Sequence, residues 1–324
     1  MNNSHNKPRL SDNELREKVA RLRKMKTVWR WVAGILLGLC ILSFVFLFVS
    51  PFIPGKFADE DLWIPIYSIF GSFVIWFIFY MIYLSSENKI RVVVTESLLP
   101  DLLREKFTHV TYDSKGSVNR QLVQNIDMVD KGTSWSIYPN IIKGRNHFIG
   151  LYKGRKVEFS DITVFVRGKY ATTAIFKGPW MTFDIGTPVP TRVKIQERSG
   201  DFAKGKRATS NVVTPNELFN ARFKVSSYNP QLTYVLLTPR FIERIMKLGG
   251  RVRMCFEPGR AHVAFNTCRR PTLFKKKDGY DTFEVTGEER EMADLDGLRA
   301  EFRREIQYLT EVIDIICEGD GLVG

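Results

Sequence analysis

Two long stretches without charged side chains constrain this 324-residue chain more than any other feature. Residues 31–55 and residues 62–86 are runs of 25 residues each that lack Asp, Glu, Lys, Arg and His. A helix of roughly 20 apolar residues crosses the hydrocarbon core of a bilayer. A soluble protein would need a very large apolar core to bury two such runs. We therefore predict a transmembrane hairpin, residues 31–86, with spans at about 31–52 and 62–85.

The charges that flank the two runs predict the orientation of the hairpin. Residues 1–30 carry nine Lys and Arg, whereas the short loop between the runs has Lys56 beside three acidic residues. Lys89 and Arg91 follow the second run. Because positively charged flanks stay in the cytoplasm, both termini are predicted to be cytoplasmic. The pattern therefore predicts a multi-pass membrane protein.

The interior of the two predicted spans favours an anchor over a transporter, because ion pathways usually retain an ionisable residue in the membrane. Small residues recur at four-residue spacing in both spans, at Gly34 and Gly38 and at Ser68 and Ser72. This spacing allows helices to approach closely, either within one hairpin or between copies in a homo-oligomer. A pore built from several hairpins is an alternative that rests on the same residues.

The segment before the first span, residues 1–30, is predicted to be a basic amphipathic tail. Ser11 and Glu14 have the spacing of a capping box, and Leu15, Val19 and Leu22 follow with helical periodicity. Such a helix can bind anionic lipid headgroups, with each basic residue contributing about 1 kcal/mol. The alternative is that the charges only set the topology.

Residues 87–324 are predicted to form a cytoplasmic α+β domain with an antiparallel sheet. A hairpin is expected around Lys153-Gly154, further turns at residues 177–179 and 258–259, and a polar loop over 186–211. Residues 90–107 read as a helix or helix pair interrupted near Pro100. Two short helices are expected to begin near Thr214-Pro215 and at Thr238-Pro239.

The last element is predicted to be a long amphipathic helix. Its apolar positions recur at spacings of three and four residues: Leu295, Leu298, Phe302, Ile306, Leu309, Ile313 and Ile316. The opposite side mixes acidic and basic residues, which is typical of a solvated face.

The best candidate for chemistry in this domain is the pair Cys255 and His262. If residues 251–257 and 260–267 form a hairpin, the thiol and the imidazole face one another on neighbouring strands. Such a pair could be an activated nucleophile of a membrane-tethered enzyme. The ordinary alternative is two residues that merely share a half-exposed sheet. No orienting carboxylate is visible in the sequence, and we predict no catalytic, cofactor-binding or metal site.

The formal net charge of +13 does not by itself indicate nucleic-acid binding. Residues 1–30 contribute +6 and the predicted external loop −2, while residues 87–324 hold 38 basic and 29 acidic residues. Part of the excess is therefore explained by topology, and the remainder faces an anionic leaflet. We expect contacts with the lipid bilayer and none with nucleic acid.

Several phrases in the second half of the chain resemble an uncharacterised family of bacterial two-span membrane proteins, one of the domain-of-unknown-function families. The phrases lie at residues 144–150, 157–161, 175–178, 219–225 and 234–239. The likeness covers most of residues 85–317 and implies the fold but no catalytic residues. It also hints at a small coiled-coil membrane protein of the LemA type as a partner. The family usually has Asp where this chain has Asn146.

Together with this resemblance, these observations favour a protein of the bacterial inner membrane whose anchored interaction or scaffold domain binds a protein partner or itself. The enzyme and the oligomeric pore are the alternative hypotheses.

Overall fold

The computed structural model describes residues 11–49, 63–126, 128, 141–167, 172–198, 210–248, 252–265 and 295–317. The described residues divide into two compact units. One is drawn from His5–Ser97, and the other is drawn mainly from Leu98–Glu284 and Leu295–Gly324.

Two long helices make up the first unit, α1 (Asp12–Val49) and the larger part of α2 (Trp63–Arg104). The predicted capping box begins α1, since the Glu14 amide donates to Ser11 Oγ at 3.3 Å and the Ser11 amide donates to Glu14 Oε2 at 2.7 Å. The helices lie side by side and antiparallel, with the rings of Trp29 and Phe79 5.3 Å apart and Lys26 Nζ 5.6 Å from the Tyr83 ring. Both are long and apolar enough to cross a membrane.

The prediction of a helix break near Pro100 is wrong, because α2 is continuous from Trp63 to Arg104 with Pro100 inside it. Proline removes one backbone hydrogen bond from a helix interior. Burial of Leu98, Leu99, Leu102 and Leu103 on either side of Pro100 offsets that loss, since each of these side chains is at most 5% exposed.

An antiparallel sheet of seven strands forms the second unit. Its strands are β1 (Thr108–Asp113), β2 (Ile141–Tyr152), β3 (Arg155–Arg167), β4 (Thr172–Glu197), β5 (Ser210–Val212), β6 (Phe223–Ser227) and β7 (Val252–Phe265). The strand order is β1-β2-β3-β4-β6-β5, and β7 pairs with β4. The first part of β4 pairs with β3 and the last part with β6, while β7 runs along the opposite edge of β4. The predicted α+β fold class is therefore confirmed.

One predicted turn is confirmed and two are wrong. Tyr152 pairs with Arg155 across Lys153 and Gly154, whose φ angles of 50° and 78° suit a two-residue hairpin turn. Residues 177–179, in contrast, continue β4 without a turn, and residues 258–259 lie inside β7. The predicted loop at 186–211 is wrong up to Glu197, because β4 extends to that residue. Residues 199–209 lie outside the described part of the chain.

Five shorter elements complete the helices of the described residues: α3 (Arg120–Ile126), α4 (Glu217–Arg222), α5 (Pro230–Leu236), α6 (Pro239–Lys247) and α7 (Leu295–Cys317). The predicted cap at Thr238 is confirmed, since its hydroxyl accepts from the Phe241 amide. Asn216 rather than Thr214 caps α4. All seven predicted stripe positions of α7 are buried, and α7 packs against α6.

Gly144 of β2 lies where the structure leaves no room for a side chain. A Cβ atom at this position would lie 2.7 Å from the Cα atom of Ser117, which is closer than real side chains approach backbone. Any larger residue would therefore displace the segment that leads into α3, which covers the core around Ile142, Phe176 and Trp180.

Candidate functional site

The structure places Cys255 in the core of the α+β domain. Its position in β7 is opposite Lys194 of β4, and its side chain has no exposed surface. It packs in one cluster with Trp180, Phe176 and Ala264. A thiol in such surroundings behaves as a small apolar side chain.

His262 lies further along the same strand, opposite Thr182. The predicted hairpin of residues 251–267 is wrong, because the residues before and after Pro258 both pair with β4 as parts of the one strand β7. Cys255 and His262 therefore do not face one another across a pair of strands. The enzyme hypothesis stays a prediction. The facing pair of Cys255 and His262 on which it was based is not formed.

The imidazole of His262 belongs to a buried polar cluster at the bend of β4 and β7. Trp180 Nε1 donates to Thr182 Oγ1 at 3.3 Å, and this hydroxyl lies 3.0 Å from His262 Nδ1. The hydroxyl of Thr182 therefore bridges the indole of Trp180 and the imidazole of His262. Nε2 is 3.7 Å from Glu257 Oε2, and Glu257 forms an ion pair with Arg192.

Burial sets the protonation state of this histidine. Loss of hydration lowers the pKa of His262 from 6.5 to about 4, and Arg260 and Arg192 act in the same direction. The nearby Glu257 carboxylate raises the pKa but does not offset the cost of burying a charge. The imidazole is therefore neutral at pH 7, and its contacts join β4 to β7.

Sequence reasoning missed the ion pair of Arg192 and Glu257, because it links two strands far apart in the chain. The pairing of β4 with β7 sets this contact, and no local pattern of residues indicates it.

A second buried polar cluster surrounds Asn146, where β2 carries a bulge. Asn146 has a φ angle of 52°, and its Nδ2 donates to Asp161 Oδ2 at 3.0 Å. The Tyr112 hydroxyl donates to Asn146 Oδ1 at 3.1 Å. The amide thus donates to a carboxylate and accepts from a phenol at the same time. An aspartate here would place a second carboxylate beside buried Asp161, which is unfavourable.

The four small residues of the predicted spans have different surroundings. Gly34 and Gly38 are exposed, and a Cβ added to either would meet no atom within 4 Å. Ser72 is half-buried, and the side chain of Ser68 lies outside the described part of the structure. The contact of Trp29 with Phe79 and the burial of Ala33 show which face of α1 meets α2. Gly34 and Gly38 lie off that face.

Within the described ranges, no group of three or more His, Cys, Asp or Glu side chains is arranged to hold a metal ion.

The fold defines an α+β protein that begins with a pair of long apolar helices. Residues 174–317 match a family described as "Protein of unknown function (DUF3137)". For this part of the chain, the resemblance to a family of unknown function is confirmed.

Comparisons with other proteins add one structural alignment. No curated protein shows a significant match to the chain. Among solved structures, the crystal structure of the mycobacterial trehalose monomycolate transport factor A, TtfA, aligns at 9% sequence identity with a TM-score of 0.33. The alignment covers 68% of this chain and 94% of that chain.

Proposed function

We propose that the protein is a membrane-anchored interaction protein of the bacterial inner membrane. In this proposal α1 and α2 span the bilayer, both termini lie in the cytoplasm, and the α+β domain binds a protein partner or a second copy. The observation that carries the proposal is the apolar exposure of the two long helices. In each helix, only 6% of the apolar 18-residue stretch that would cross the membrane is buried within the protein.

The exposed side chains of the hairpin are large and apolar. On α1 they include Trp31, Ile35 and Leu42, which are 66%, 62% and 65% exposed. On α2 they include Phe70, which is 68% exposed. Leaving such a surface in water is unfavourable by about 25 cal/mol per Å². A bilayer removes that cost, and the basic residues before α1 favour the cytoplasmic location of the amino terminus.

Within the described part of the basic tail, residues 12–30 form the first part of α1. Its apolar residues Leu15 and Val19 are 1% and 4% exposed, so this stripe is already covered by protein. The outward residues Arg16, Lys18 and Lys24 are exposed. Contact of these cations with anionic headgroups would be electrostatic and sensitive to salt. The large apolar side chains of the tail that stay exposed, Met25 and Val28, lie closer to the predicted span.

The open face of α1 favours a second copy as one partner in the membrane. Gly34 and Gly38 leave the backbone of α1 accessible, and helices in membranes associate where small residues allow close approach. A small coiled-coil protein of the LemA type is the heteromeric alternative to the homo-oligomer.

We expect the double substitution Gly34→Leu and Gly38→Leu to abolish most self-association of the full chain. Leucine side chains would hold the two backbones apart, whereas they meet open space within one copy. The measurement is the fraction of cross-linked dimer in intact bacterial membranes. Gly71→Leu is the matched control, because Gly71 on α2 is equally open but has no partner glycine at that spacing.

Two results would count against the proposal. If the full chain stays monomeric and no protein is cross-linked to its α+β domain in cells, the interaction role is wrong. If the double substitution and the control lower dimer formation equally, Gly34 and Gly38 are not the contact.

A further inference from the structure

One part of the α+β domain exposes a group of large apolar side chains that its core does not use. We call this group the α5 patch and define it by Val213, Tyr228, Leu232, Tyr234 and Val235. Their exposed fractions are 69%, 65%, 39%, 48% and 67%. Among the described residues of this domain, the other large apolar side chains exposed to this degree are Ile141, Leu218 and Tyr308.

The fold presents the α5 patch on a firmly held short helix. Asn229 caps α5 by accepting from the Leu232 amide, and Pro230 occupies the first turn. Thr233 and Leu236 are buried and fix the inner side of the helix. Leu232 and Val235, three residues apart, consequently share the outer side.

A hydrogen bond joins the helix to the end of the neighbouring edge strand. The Tyr234 hydroxyl donates to the carbonyl oxygen of Val213 at 3.0 Å, and Val213 directly follows β5. Tyr228 lies between β6 and the cap of α5. The five side chains are therefore presented together by α5 and the segments that adjoin it.

The charges near the α5 patch are mainly positive. Residues 210–248 contain five Lys and Arg and two Glu, and one of the five, Arg222, is paired with Glu197. The pairing of Val212 with Val225 places Val213 beside Lys224, which is exposed. On α6, Arg240 and Lys247 are exposed together with Glu243. An occupant of this surface should therefore combine apolar groups with negative charge.

We propose that the α5 patch docks on the anionic cytoplasmic leaflet of the membrane. Leu232 and Val235 enter the interfacial region, the tyrosines lie at headgroup level, and Lys224 and the α6 cations contact the phosphates. The sign of the charge and the two tyrosines favour a lipid surface over a protein. This inference rests on the proposed function, because the anchor keeps the domain within reach of the bilayer.

The test uses the full chain reconstituted in vesicles of phosphatidylglycerol and phosphatidylethanolamine, with a lipid that carries a photoreactive acyl chain. We expect label on the peptide that contains residues 228–235. We expect this label to fall by about tenfold in the L232E/V235E variant, because two apolar groups no longer enter the interface. I141E is the matched control, since Ile141 is an exposed apolar residue outside the patch.

Label on α1 and α2 separates the two proposals. Spans that are labelled while residues 228–235 are unlabelled, or labelled equally in the variant, overturn the docking inference alone. Unlabelled spans overturn the anchor and this inference with it. Equal patch label in vesicles of phosphatidylcholine alone contradicts the role of the anionic headgroups. Hydrogen exchange of the β4 amides verifies that each variant is folded, so that loss of label reports docking.

Discussion

Replacing Phe302 with alanine should destabilise the α+β domain by about 3–5 kcal/mol, the range observed for removing a buried phenylalanine ring. Phe302 has no exposed surface and lies in the middle of the apolar stripe of α7. The cavity left by the ring would weaken the packing of α7 against its neighbours, which include α6. Hydrogen exchange of the sheet amides in the full chain measures the free energy of opening.

Arg303→Ala is the matched control for this prediction, because it changes the next residue on the same helix. Arg303 is exposed and forms a two-point ion pair with Glu105, with N–O distances of 2.8 and 3.0 Å. An exposed ion pair is screened by solvent, so its loss should destabilise the domain far less than the loss of the buried ring. Similar losses for the two variants would show that α7 is not packed as described.

Acidification should destabilise the wild-type domain more steeply than a His262→Asn variant. The folded pKa of His262 is about 4 and the reference value is 6.5. Between these pH values the unfolded chain binds a proton that the folded chain does not. The stability from the neutral imidazole is therefore present above about pH 6.5 and declines as the pH falls towards 4, by about 3 kcal/mol in total.

The measurement for this second prediction is the unfolding free energy of both chains from pH 7 to pH 4. Asparagine can keep a hydrogen bond to Thr182 but takes up no proton in this range. Carboxylates such as Glu158, whose pKa is lowered chiefly by a hydrogen bond from His147, contribute equally to both chains. The difference between the two curves thus isolates His262, and parallel curves would refute the assignment of a buried neutral imidazole.

Local signals predicted the elements that depend on neighbouring residues. The capping box at Ser11 and Glu14, the turn at Lys153-Gly154 and the stripe of α7 all use interactions within a few residues. Such interactions join residues that are close together in the sequence, so the local sequence is enough to predict them. The corresponding predictions were therefore correct.

The turns predicted from proline and glycine were wrong where pairing between distant strands determines the backbone structure. Residues 178–179 and 258–259 have the composition of turns, yet the first pair lies opposite β3 and the second lies within β7. Gly259 has a φ angle of 75°, so the backbone of β7 is locally not extended. Pro258 pairs with Pro188, where both β4 and β7 are irregular. A residue without an amide proton suits an interrupted ladder as well as a turn. The sequence alone does not separate these two uses.

The candidate sites were harder to predict for the same reason. The prediction that Cys255 faces His262 required a hairpin that β7 does not form. The hydrogen-bond partner of His262 is instead Thr182 of β4. The α5 patch was missed because residues 232–237 are almost uniformly apolar. Such a run does not show which of its residues point outward. Only the burial of Thr233 and Leu236 separates the two sides.

The central claim is that the two charge-free runs span the inner membrane and leave both termini in the cytoplasm. A cysteine introduced at Lys56, labelled in intact cells with a membrane-impermeant maleimide, tests this claim most directly. Lys56 lies in the predicted external loop, and the wild-type chain is the control because its own cysteines are buried or predicted to lie in the membrane or the cytoplasm. We expect labelling of Lys56→Cys in intact cells and none of the wild type. An unlabelled Lys56→Cys chain that reacts only after the membrane is opened would contradict the account.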